Sequence, residues 1–189
     1  MLFNNLAIYQ NIISGIIAPH GITDLFHAKQ NNHIRDLLSI NVFCASSSIM
    51  LNAIHDPYLI LDASFFISSI IHFRHDMPNI FPNSEYGSSL LIILLSIFYN
   101  HDIFFAYMLL SHVPHHYYMN RNIIKENIKY NLGVLFITTL SCVYCTHIFD
   151  IFHSSLAFDL SKGIVISHIV YEEMFIHQNN TNMSLIPIL

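Results

Sequence analysis

Apolar stretches follow one another along almost the whole chain, and histidines cluster at their ends. Seven segments read as helices, at roughly 3–19, 37–54, 57–74, 87–99, 102–118, 131–150 and 156–177. A helix needs about 20 apolar residues to cross a bilayer, which leaves room here for about six or seven spans. The composition agrees: 53% of residues are hydrophobic and only 10% are charged, a balance that suits lipid better than a water-soluble core. The expected fold is therefore all-α, a polytopic transmembrane bundle of about seven helices. The number falls to six if 87–99 and 102–118, separated by Tyr99-Asn100-His101-Asp102, form one broken helix. Residues 1–189 read as a single integral-membrane domain, with 178–189 a flexible tail.

The start, Met1-Leu2-Phe3-Asn4-Asn5, lacks a basic n-region, so the first apolar stretch reads as a retained helix rather than a cleaved signal. Cys142-Val143-Tyr144-Cys145 spells C-x-x-C, but inside an apolar segment it reads as packing rather than redox chemistry or zinc. Cys44 lies in a second such segment, where Ser46-Ser47-Ser48 suits close contact between helices. The net charge of −5 is small and dispersed, and nothing suggests nucleic acid as a partner.

Charge placement orients the bundle. With seven helices, Lys29, Arg35, Arg74, Arg121, Lys125 and Lys129 all fall on one side, and only Lys162 does not. The positive-inside rule makes that side cytoplasmic, with the N-terminus outside and the C-terminus inside. The same alternation brings three histidine runs to the cytoplasmic side: Pro19-His20-Gly21, His72-Phe73-Arg74-His75-Asp76 and His112-Val113-Pro114-His115-His116. Imidazole is costly to bury in an apolar segment unless it is paired or bound to metal. A metal centre near the cytoplasmic face is the expectation.

His112 and His116, at i and i+4, project from one helical face and can share an ion, with His115 close to the same arc. Pro114 is expected to loosen that helix and re-aim its side chains. Histidines reaching for headgroups are the plain alternative, though three within five positions argue against it. Asp24 stands at i+4 from His20, with His27 at i+7, and Asp76 stands at i+4 from His72. A carboxylate so placed can accept a ligand histidine's second N–H; a solvated helix-end charge is the other reading. His168 carries Glu172 at i+4, beside Tyr171 and Glu173, and with mid-segment Asp62 these are ionisable groups deep in apolar surroundings. His55, His101, His147 and His153 fall towards the opposite side as interfacial residues, and His33 and His177 read as loop and tail. Imidazole-rich sites suit Zn, Cu or Fe. A lipid substrate within hydrocarbon calls for oxygen activation, which favours iron.

Taken in order, three motifs resemble the Brp/Blh family of membrane carotenoid oxygenases. They are Pro19-His20-Gly21-Ile22-Thr23-Asp24, His72-Phe73-Arg74-His75-Asp76 and His112-Val113-Pro114-His115-His116, with Ser167-His168-Ile169 a looser fourth. The motifs cover about 20 positions, but their order spans most of the chain. The chain is shorter than typical members, mostly between the second and third motifs, and has Arg74 where the family usually has glycine. The resemblance implies that His20, His72, His112 and His116 hold Fe(II). Asp24, Asp76, His115, His168 and Glu172 remain as additional ligands or supports. It implies O₂ as co-substrate and β-carotene, or a related lipophilic carotenoid, cleaved to retinal. Two alternatives stand beside this reading. His112-x-x-His115-His116 matches the box of membrane di-iron hydroxylases and desaturases, and a non-enzymatic relative binding carotenoid or retinal would share the motifs.

Overall fold

The computed structural model describes residues 11–52, 57–76, 85–99, 102–149 and 155–177. Among these residues the secondary structure is helical throughout, with no strand. We number eight helices: α1 (residues 11–30), α2 (Ile34–Asn52), α3 (Pro57–Phe73), α4 (Glu85–Phe98), α5 (residues 102–119), α6 (Arg121–Glu126), α7 (Ile128–Ile148) and α8 (Ser155–Tyr171). The two short segments before and after position 100 are thus separate helices, with Asn100 and His101 outside the described residues. The extra helix is α6, in the basic stretch expected to be a loop. Asn131 fastens it to α7 by donating Nδ2–H to the carbonyls of Ile123 (3.0 Å) and Ile124 (3.2 Å). His55, His153 and residues 178–189 also lie outside the described residues.

Two of the helices are locally widened, and a proline explains each. In α1 a π-turn spans Ile13–Ile17 directly before Ala18–His20, which contains Pro19; in α5 one spans Met108–His112 before Val113–Met119, which contains Pro114. Proline has no N–H to continue the ladder and crowds the preceding turn. The backbone answers with i→i+5 bonds, from Ala18 N–H to the Ile13 carbonyl and from Val113 N–H to the Met108 carbonyl. The loosening expected at Pro114 therefore takes this form, and it recurs at Pro19. A third π-turn, Glu172–His177, continues α8, and a 3₁₀ turn, Arg74–Asp76, ends α3.

α1 runs past Pro19-His20-Gly21 with a turn at Gly21 and stops at Gln30. Asn32 closes it in the left-handed region, φ 61°, and His33 N–H reaches back to the Ala28 carbonyl at 2.8 Å. That is the usual way a helix end satisfies its last carbonyls, and asparagine tolerates the conformation.

The side chains are distributed in reverse of a water-soluble protein. Ser14, Ser48, Ser69, Ser89 and Ser167 are buried with the histidines, while Phe43, Phe98, Leu110 and Phe136 are 64–83% exposed. Small polar residues let helices approach and bond: Ser89 Oγ donates to the Ile70 carbonyl (3.0 Å), and Ser167 Oγ to Asn41 Oδ1 (2.7 Å). Ser48 on α2 meets Gly163 on α8, where an added Cβ would come within 2.9 Å of the Cys44 carbonyl oxygen. Two helices are long and apolar enough to cross a membrane, within Ile34–Leu51 and Ile128–Ile148; only 17% and 11% of those stretches are buried. Two apolar clusters flank the histidine layer. Phe73, Ile93, Tyr107 and Met108 form one; Ala28, Leu37 and Tyr171 form the other.

Candidate metal centre

Five histidines from four helices meet in one buried layer. His20 comes from α1, His72 from the end of α3, His112 and His116 from α5, and His168 from α8. Eight pairs of their ring centroids lie 4.4–5.5 Å apart. His112 is 1% exposed and His72 3%. Two overlapping donor sets have ligand atoms within 4.8 Å of one another: His20, His112, His116 and His168, and His72, His116, His168 and Glu172. The four histidines singled out by the sequence motifs are thus all present, and His168 joins them in both sets. His115 belongs to neither.

Each ring is oriented from behind through Nδ1. His20 Nδ1 donates to the Ile17 carbonyl of its own helix. His112 Nδ1 lies 2.7 Å from Asp76 Oδ2, which also accepts from the Tyr107 hydroxyl. His168 Nδ1 lies 2.7 Å from Asp24 Oδ2. Glu172 serves two rings, His116 Nδ1 at 3.1 Å through Oε1 and His72 Nδ1 at 3.5 Å through Oε2. With Nδ1–H committed in this way, Nε2 is left as the lone-pair nitrogen. The Nε2 atoms of His20, His72 and His168 are buried without a hydrogen-bond partner among the described residues. Each such orphan costs about 1–3 kcal/mol, and a cation among them removes the cost. The donor set fits a divalent transition metal that prefers imidazole.

The carboxylates do the expected work, but for different partners. Asp24 was expected to orient His20 at i+4; the turn at Gly21 breaks that register, and its carboxylate reaches His168 across the bundle. Asp76 was expected to orient His72; the 3₁₀ turn Arg74–Asp76 swings it to His112 instead. His27, noted at i+7 from His20, bonds the Tyr171 hydroxyl at 3.2 Å and stands outside both donor sets. Glu172, weighed as a support, is the most shared residue of the layer. The signal for His168 and Glu172 was in the sequence, since an i, i+4 His–Glu pair in an apolar segment seldom lacks a partner.

Beside the layer, Arg74 occupies the position where glycine was the resembled pattern. Its Nη2 donates to Glu173 Oε2 at 3.0 Å, and its guanidinium lies 4.9 Å from the Tyr86 ring centroid. His75 Nε2 meets the other oxygen of Glu173 at 2.9 Å. These contacts bind the ends of α3 and α8 and the start of α4 next to Asp76 and Glu172. Cys44, Cys142 and Cys145 carry free thiols, and none enters either donor set. His147 Nε2 lies 3.4 Å from Asn11 Oδ1 on an exposed surface, and the His33 ring packs against Phe175.

The chain matches no known protein-family model, and comparisons with curated proteins and with solved structures return no match.

Proposed function

We propose that this chain is a multi-pass membrane oxygenase whose histidine layer holds Fe(II) and cleaves β-carotene or a related polyene with O₂ to give retinal. The observation that carries the reading is the buried set His20, His112, His116 and His168, with each Nδ1 tied back and the ligand atoms drawn together. The choice of iron and of a carotenoid rests on the resemblance of the three ordered motifs to the Brp/Blh family. The membrane reading rests on the apolar exterior, on the two long apolar helices and on the six basic residues that alternation assigns to one side.

Iron, when bound, supplies the activation of O₂. The protein's part is to fix geometry and exclude water. Neutral imidazoles leave the ion its positive charge, while Asp24, Asp76 and Glu172 stabilise the rings from outside and hold their tautomers. Phe73 and Tyr107 on one side, and Tyr171 on the other, wall the layer with apolar surface that suits a hydrocarbon. Lateral access from lipid between helices is the route consistent with the apolar exterior.

The test is expression in a β-carotene-producing cell, with pigment and retinal measured alongside iron in the purified protein. Bleaching, retinal and one iron per chain are expected, with retinal lost on His20→Ala, His72→Ala, His112→Ala or His116→Ala. Retinal that persists through those changes sinks the reading.

One observation favours a second reading, a di-iron hydroxylase or desaturase acting on lipid. Glu172 joins His72 in a donor set that overlaps the first, and a carboxylate shared between sites suits two metals. Two irons per chain, without retinal, would support it.

A further inference from the structure

Lys162 is the basic residue that charge alternation leaves off the basic side, and Asp62 is an ionisable group in mid-segment. The structure brings the two together. Lys162 Nζ on α8 forms an ion pair with Asp62 Oδ1 on α3, and Asp159 Oδ1, one turn earlier on α8, lies 3.5 Å away. The Lys162 side chain is 11% exposed and Asp159 1%, whereas Asp62 is 44% exposed at the seam between the two helices. The amine is thus held from below and approachable from one side.

Two carboxylates around one amine exceed what neutralising the lysine needs, and surplus charge in apolar surroundings is costly. The surplus carboxylate has a use if the amine gives up its proton. From this arrangement we infer that Lys162 is a docking site for a lipophilic aldehyde, held as a Schiff base with Asp62 and Asp159 as counter-ions. The ammonium proton passes to an aspartate, the amine nitrogen attacks the carbonyl carbon, and the carbinolamine loses water to leave C=N. Reprotonation of the imine nitrogen restores a cation between the two carboxylates. No oxidant or reductant is consumed.

The site of supply is close. Lys162 precedes His168 on the same helix by about 9 Å of axial rise, and Asp62 precedes His72 on α3, so the ion pair and the histidine layer share one seam. Phe66 and Val165, exposed on those two helices, lie at intervening positions and offer apolar surface for a polyene. The source of the aldehyde rests on the function proposed above; the docking chemistry does not.

The test uses the full chain in detergent micelles with added all-trans-retinal as the probe, followed by borohydride reduction and peptide mass mapping. The expected result is a reduced adduct on Lys162 in preference to Lys29, Lys125 and Lys129, falling at least about ten-fold in Lys162→Arg. Arginine keeps the charge facing both aspartates, and unchanged metal content of that variant shows that the bundle is intact. Asp62→Asn is expected to lower the trapped yield several-fold. No adduct, or labelling spread evenly over the four lysines, overturns the inference. A Lys162 adduct on a chain that makes no retinal from β-carotene retains the docking site and removes the proposed activity; retinal formation without an adduct does the reverse.

Discussion

His168 Nδ1 on α8 lies 2.7 Å from Asp24 Oδ2 on α1, a contact between residues 144 positions apart. It fixes one ring of the layer from the opposite side of the bundle. Such outer carboxylates set ring orientation and basicity, and losing one weakens metal binding by about 10–100-fold. Asp24→Asn is therefore expected to lower affinity in that range with helical content unchanged, measured by competition with a chelator of known strength. Asp76→Asn should behave alike through His112. Native-like affinity in both variants would show the carboxylates to be bystanders.

The histidines divide into members and neighbours. His20→Ala, His112→Ala, His116→Ala and His168→Ala each remove a donor from the four-histidine set and are expected to strip most of the metal from the purified protein. His115→Ala, one residue from His116 yet outside both sets, should retain full metal content. Elemental analysis per chain reads both outcomes, and loss of metal in His115→Ala would redraw the site.

Pro114 acts on the site through the backbone. Replacing it with alanine restores a donor N–H, so the π-turn Met108–His112 loses its cause and α5 can tighten to an ordinary helix. That change rotates His112 relative to His116. Pro114→Ala is expected to keep or raise thermal stability in detergent while metal content falls. Metal binding equal to the unmodified chain would show that the proline is not what sets the ring positions.

Gly163 and Gly133 make a matched pair. A Cβ at Gly163 meets backbone and side chain of α2 at 2.9 Å, whereas one at Gly133 meets nothing within 4 Å. Gly163→Ala must push α8 from α2 and is expected to cost about 1–3 kcal/mol. Gly133→Ala should be neutral or gain up to about 1 kcal/mol from helix propensity. Thermal unfolding followed by circular dichroism compares them directly.

The positions of the helices were legible because long apolar runs and their polar punctuation are local properties. The meeting of His20, His72, His112 and His116 was legible for a related reason, since each lies at the end of a segment and alternation carries those ends to one side. The partners of Asp24 and Asp76 were not. Reading i+4 assumes an unbroken helix, and Gly21 and the 3₁₀ turn Arg74–Asp76 end that assumption within one turn of each histidine. The share taken by Glu172 was hidden too, because a residue that serves His72 and His116 from a third helix leaves no spacing to read. The short helix α6 escaped for want of an apolar face.

Glu172 has a consequence for the order in which this protein comes to life. A chain made from its N-terminus puts His20, His72, His112 and His116 into place before α8 is synthesised, with no carboxylate yet behind His72 or His116. Only when α8 docks against α2 and α3 do His168 and Glu172 arrive together. Metal taken up earlier would meet three or four loosely aimed imidazoles, so loading belongs after the final docking step, and the ion acts as a seal on an assembly already complete.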